Sequence, residues 1–169
     1  MNVSRETGGL IKMSLENVRD YFKQYGIEDR IIEFDTSSAT VDLAAQAAGV
    51  DPARICKTLS FKTKDDRCVL IQMPGDKRID NKKYRHLFGC KAKMLTPEEV
   101  VEYTGHHIGG VCAFGIDNDN VDVYCDISLK EYETVFPACG SSNSAIEFTI
   151  DELFKYSNSK EFIDVVKED

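Results

Sequence analysis

The run Ile55-Cys56-Lys57-Thr58-Leu59-Ser60-Phe61-Lys62 constrains the fold more than any other part of the chain. It reads as a strand, and side chains alternate across a strand, so Ile55, Lys57, Leu59 and Phe61 share one face. That face is apolar except for the lysine. Two outcomes fit the pattern. In one, Lys57 sits near the strand end and runs its stem out to water. In the other, the ammonium is drawn inward and meets a carboxylate, a carbonyl or an anionic ligand, because an unpartnered buried charge is costly. Arg67 to Met73 reads as a second strand, and Lys64-Asp65-Asp66 between the two makes them a hairpin.

Helices and short strands are expected around this hairpin. Ser14 is the N-cap of a helix through Tyr25, with Leu15, Val18, Phe22 and Tyr25 on one side and Gly26 as its stop. Thr40 caps a helix of small residues, Val41 to Ala48, ended by Gly49. Asp80 to Phe88 is a basic helix stopped by Gly89, and Thr96-Pro97-Glu98-Glu99 starts another that ends at Gly105. Strands are expected over Ile31–Phe34, Lys91–Leu95, Val111–Phe114, Val121–Asp126, near Val135, and over Ala145–Thr149 and Phe162–Val166, with a short helix from Asp151. Strand pairs in hairpins outnumber regular alternation, so the class is α/β or α+β. Residues 1–13 read as a flexible leader and 14–169 as one domain.

Charge is distributed unevenly. The chain carries −8 overall, yet residues 1–53 hold −4, residues 54–93 hold +8 and residues 94–169 hold −12. The basic middle can track phosphates while the remainder keeps the protein in solution, or it can simply solvate a hairpin. Six cysteines (56, 68, 90, 112, 125 and 139) contain no Cys-x-x-Cys pair, and they read as reduced thiols of a cytoplasmic protein. With three histidines and no close Cys/His cluster, no metal is expected. No run approaches the roughly 18 apolar residues of a membrane span.

The sequence holds no Gly-x-Ser-x-Gly elbow, Walker loop, dinucleotide fingerprint or His-Glu-x-x-His. His106 and His107 are adjacent, so at most one enters a site, and a loop or capping role is the alternative. Gly109-Gly110 can present backbone N–H groups to an oxygen or form a plain turn. The same ambiguity holds for Gly140-Ser141-Ser142-Asn143. Asp126 can face Lys57, bind an amine or be a solvated strand-end carboxylate.

Taken in order, these pieces resemble a known family. Thr40-Val41-Asp42-Leu43-Ala44-Ala45, Gly49-Val50, Ile55-Cys56-Lys57-Thr58-Leu59 and Pro74-Gly75-Asp76-Lys77-Arg78-Ile79-Asp80 are similar to the YbaK/prolyl-tRNA synthetase-associated domain family. Gly105, Gly109-Gly110-Val111-Cys112-Ala113-Phe114-Gly115, Val123-Tyr124-Cys125-Asp126 and Cys139-Gly140-Ser141 keep the family's order, so the resemblance spans about residues 14–166. It implies a single compact α/β domain with a mixed, strongly curved, barrel-like sheet flanked by helices. It also implies hydrolysis of the ester between a wrong amino acid and tRNA, without a cofactor, on the acceptor end of a prolyl-type tRNA carrying a small residue such as Cys or Ala. Prolyl-tRNA synthetase is then a candidate partner, and neither DNA nor a membrane is one. Carried over residue by residue, Lys57, Gly109 and Gly110 are the catalytic candidates, and Thr40, Ala44, Asp126 and Gly140 the substrate contacts. Ala113 stands where the family loop commonly has proline. A non-catalytic tRNA-binding protein of the same fold is the rival expectation, and a small-metabolite hydrolase a third.

Overall fold

The computed structural model describes residues 14–168, and the leader assigned to residues 1–13 lies outside them. Residues 14–23 are helical (α1), so Ser14 lies within the helix instead of capping it. A short strand, β1 (Ile32–Glu33), leads through a loop to α2 (Val41–Ala48). The Thr40 side chain accepts a hydrogen bond from Leu43 N, and Gly49 closes α2 at φ 70°, where a side chain would be strained. The hairpin β2 (Ile55–Lys62) and β3 (Cys68–Pro74) follows, then α3 (Asn81–Phe88) and α4 (Pro97–Thr104). Asp80 caps α3, and Thr96 caps α4 in a reciprocal box with Glu99. After these come β4 (Val121–Asp126), β5 (Thr134–Pro137), β6 (Ser144–Ala145), β7 (Phe148–Thr149), α5 (Ile150–Tyr156) and β8 (Phe162–Ile163).

Six strands make one curled, mixed half-barrel in the order β7-β5-β2-β3-β4-β8, while β1 and β6 pair separately. Hairpin register runs from Cys56 opposite Pro74 to Lys62 opposite Cys68. β2/β5, β3/β4 and β4/β8 are parallel. All seven residues of β3 are buried, which explains its nearly unbroken apolar sequence. Val69, Ile71 and Met73 pack with Phe61 and with Tyr84 of α3, while Cys68 and Leu70 pack with Leu95 and with Val100 of α4. A further cluster joins Val18 and Phe22 of α1 to Phe114, Phe148 and Leu153.

Three expected strands differ from what forms. Lys91–Leu95 contributes a single bridge, Met94 to Phe61, because the chain must leave β2 at once to enter α4 at Thr96. Val111–Phe114 is not a strand. Cys112 and Phe114 are fully buried, and the Phe114 carbonyl accepts from a histidine ring instead of a neighbouring strand. Ala145–Thr149 divides between β6 and β7, which pair with different strands.

The outer edge of β2 positions everything that follows. β5 attaches to it at Ile55 and Cys56. Residues 93–95 attach further along, where Lys62 N donates to Lys93 O (2.9 Å) and Leu95 N to Ser60 O (3.1 Å). Between these attachments no strand among the described residues pairs with that edge at residues 57–59. The sheet is notched there.

Asp126, expected to face Lys57, to bind an amine or to be a solvated strand-end carboxylate, does none of these. It is fully buried at the end of β4, where it accepts hydrogen bonds from Ser128 N (2.9 Å), from the Ser128 hydroxyl and from Val165 N (2.8 Å). It caps the short turn after β4 and ties in the chain beyond β8. Asp126→Ala would strand the buried Val165 N–H, so stability should fall by about 1–3 kcal/mol, with Asp126→Asn losing less. Urea midpoints of the two variants check this, and a wild-type midpoint for Asp126→Ala would contradict a structural role.

Candidate active site

A cavity of about 240 Å³ fills the notch in β2. Ile55 to Ser60 form its floor, Ala39, Thr40, Val41 and Ala44 one wall, and Phe136, Ala138 and Ala145 another. Met94, Leu95, Ile108, Gly109 and Val111 close the remaining sides. Small side chains dominate where α2 approaches the sheet, and this is the use made of the alanine-rich helix. A second hollow of about 370 Å³ adjoins the first, sharing Thr40, Val41 and Lys57 and adding Asp42, Pro52, Gly75, Asp76, Lys77 and Arg78. The larger groove of about 910 Å³ shares no lining residue with either. Asp20, Asp117, Asp119 and Asp122 line it together with Arg67, Lys155 and Lys160, so its charges nearly balance.

Lys57 stands on the border between the two hollows. Its stem is half-buried, and its ammonium donates to the Gly75 carbonyl (3.2 Å) and to the Lys77 carbonyl. Of the partners open to it from sequence, a carbonyl is the one found. Burial pushes its pKa below the ordinary lysine value; the Asp76 carboxylate opposes that shift and Arg78 reinforces it. An ammonium has three N–H donors, so two bonds to carbonyls leave one for a ligand. The accepting loop is fixed in turn by Gly75, where an added Cβ would lie 2.3 Å from the Pro52 carbonyl oxygen.

The glycine pair divides into two roles. Gly110 N donates to His107 O (3.0 Å), which closes a turn, so this N–H is already engaged. An added Cβ at Gly110 would sit 2.7 Å from Ser141 N, so the residue is small in order to pack on the 140–141 backbone. Gly109 lines the cavity at φ 97°, and its N–H makes no hydrogen bond among the described residues. Gly140, expected to contact substrate, lies outside the cavity. Its φ is 91° and an added Cβ would fall 2.7 Å from the Ser14 hydroxyl, so it lets the chain pass close to α1. Thr40 and Ala44 do line the cavity. Ala113 does not, and packs with Leu70, Leu95 and Val100.

His106 holds this loop in place. It is 1% exposed, with one ring nitrogen against the Ser14 hydroxyl and the other 2.9 Å from the Phe114 carbonyl. The neutral ring donates to Phe114 O and accepts from Ser14, so both nitrogens are used. Among the described residues, sequence reasoning also missed Ala39, Val41, Met94, Ile108 and Phe136 as cavity walls. Small or apolar side chains carry no chemical signal, and only the fold gathers them.

The sequence signature of the aminoacyl-tRNA editing domain matches residues 35–156. The chain belongs to that family. The editing domain is 56% identical to the uncharacterized protein YwhH of Bacillus subtilis (strain 168) over 156 residues, covering 92% of this chain and 99% of that one. It is also 30% identical to the proline–tRNA ligase of Limosilactobacillus fermentum, across 73% of this chain but only 23% of the ligase. A crystal structure described as a candidate trans-editing enzyme for prolyl tRNA synthetase superimposes with a TM-score of 0.82 at 29% identity, covering 92% of this chain and 98% of the other.

Burial lowers the His106 pKa; the Phe114 carbonyl opposes this, and His107 lowers it further. A histidine with a depressed folded pKa binds fewer protons folded than unfolded, so stability falls with pH. The loss should begin below the ordinary histidine value of about 6.5. Melting temperatures from pH 8 to 5 should therefore decline below pH 6.5, and His106→Gln should flatten that part of the profile.

Proposed function

We propose that this editing domain hydrolyses the ester of a mischarged aminoacyl-tRNA, acting in trans in the cytoplasm on a prolyl-type tRNA that carries a small amino acid. The observation that carries this reading is the placement of Lys57. Its ammonium lies where a small-walled cavity meets a hollow lined by Lys77 and Arg78. The cavity accepts an amino-acid side chain, and the adjoining hollow, where Lys57, Lys77 and Arg78 outnumber Asp42 and Asp76, accepts the charged end of the RNA. All six cysteines are free, as suits a reducing compartment.

An aminoacyl ester is already activated, so the site need not supply a strong nucleophile. Water, held by the neighbouring ribose hydroxyl, attacks the carbonyl carbon; the oxyanion forms, then collapses and expels the ribose oxygen, which takes up the proton that the water gives up. The third Lys57 N–H and the N–H of Gly109 are the donors available to the terminal phosphate or to that oxyanion. Thr40 and Ala44 wall the amino-acid pocket. Such a pocket excludes bulk well but separates residues differing by one methylene by only about 1–3 kcal/mol. The engaged N–H of Gly110 favours a second reading, a protein that binds aminoacyl-tRNA without turnover, because it leaves one backbone donor fewer.

A panel of mischarged tRNAs incubated with the protein separates the two. If Lys57 contributes as described, Lys57→Ala should lose about 100- to 1000-fold in deacylation while keeping its melting temperature. Lys57→Arg should rescue poorly, because a planar fork cannot replace a compact ammonium between two carbonyls. Near-wild-type turnover in Lys57→Ala would remove Lys57 from the mechanism.

Parts of the basic segment are occupied within the fold. Lys83 is bound to Asp164 (2.9 Å), Lys62 to Glu99 (3.3 Å) and Arg67 to Asp122 (2.9 Å). Lys82 and Arg85, on α3, make no ion pair among the described residues, and they are the better test of RNA contact. Lys82→Glu with Arg85→Glu should weaken tRNA binding at every sequence and flatten its salt dependence, while sparing hydrolysis of a minimal aminoacyl ester. Salt-independent binding by the wild type would make α3 a solvated surface.

A further inference from the structure

Two apolar side chains stand in water at the mouth of the cavity. Met94 is 57% exposed and Ile108 64% exposed, and both also line the cavity. Scattered surface hydrophobes are ordinary, but these two belong to one opening, and backbone bonds fix each of them. Met94 is bridged to Phe61, with hydrogen bonds to β2 from the residues on both sides. Leu95 turns inward at 6% exposure, so alternation turns Met94 outward. Ile108 is the second residue of the turn closed by Gly110 N and His107 O, with Gly109 third at positive φ. His106 pins that turn on one side, and the packing of Gly110 on the 140–141 backbone pins it on the other.

We propose that Met94 and Ile108 form a seat for the nucleobase of the terminal nucleotide of an aminoacylated RNA. The inference rests on the deacylase reading above. In such a substrate the amino acid is esterified to the terminal ribose, and the base is attached to the same ribose. An amino acid inside the cavity brings the ester to the mouth and leaves the base within one sugar of it. The charged backbone is drawn to Lys57, Lys77 and Arg78. The base needs an apolar surface for its π face, and a flexible thioether beside a branched aliphatic side chain provides one. Contacts of this kind grip any base, so the seat demands a base without choosing among them.

The test compares two minimal substrates. One carries glycine, alanine, serine or cysteine on the 3′ hydroxyl of adenosine 5′-monophosphate, and the other carries the same amino acid on a ribose 5-phosphate methyl glycoside that lacks a base. The wild type should prefer the nucleotide ester in kcat/KM, and Met94→Ala with Ile108→Ala should shrink that preference about tenfold, chiefly through KM. An unchanged ratio in the double variant, or no preference in the wild type, overturns the seat. A non-hydrolysable 3′-amide analogue of the nucleotide ester keeps the two readings apart. If the wild type binds the amide but hydrolyses neither ester, the deacylase reading falls, and the seat stands only if the double variant binds the amide about tenfold more weakly. Failure to bind the amide at all removes both.

Discussion

The site depends on what is missing along one edge of β2. A strand buried in a sheet normally has its backbone groups paired on both sides, and an unpaired edge is ordinarily covered or blunted. Here β5 takes the edge at Ile55 and Cys56, residues 93–95 take it again at Ser60 and Lys62, and the stretch between is left to a cavity. Because the attachments lie on both sides of the gap, the hairpin stays rigid while its middle remains open. Lys57 stands at the gap, and its ammonium turns to the loop carbonyls beyond β3.

The second constraint is a close approach of backbones. Gly110 packs on the 140–141 backbone, Gly140 packs on Ser14, and His106 bridges Ser14 to Phe114. Side chains at either glycine would drive these segments apart, since backbone atoms that cannot rotate away lie within 2.8 Å of each added Cβ. The loop bearing Gly109 is therefore held by α1 and by the 140–141 backbone, neither of which lines the cavity. Rigid support of this kind suits a site whose chemistry is mostly orientation.

Much of this was legible in the sequence, and the failures have physical causes. The hairpin, α2, α3 and α4 were readable because each announces its ends: Thr40, Asp80 and Thr96 as caps, and Gly49, Gly89 and Gly105 as left-handed stops. The lysine on an apolar strand face does border a cavity, and Ala44 of α2 lines it. Asp126 was misplaced because a strand-end carboxylate looks the same whether it faces a ligand or caps a turn. Val111–Phe114 reads as a strand because it is apolar, yet the Phe114 carbonyl is taken by the ring of His106, eight residues earlier, a pairing that periodicity does not encode. The two glycines of the pair were indistinguishable until the hydrogen bond of one was seen.

The clamp around His106 also bears on when the site comes into being. Its hydroxyl partner, Ser14, is separated from it by 92 residues, and the 140–141 backbone that supports Gly110 is added later still. Contacts that far apart close late, because the entropy of a long loop must be overcome before they contribute. A chain still emerging from a ribosome would have β2, β3 and Lys57 in hand long before it had a fixed glycine loop. The cavity's glycine loop therefore becomes fixed only once the chain as far as residue 141 is available to pack against it.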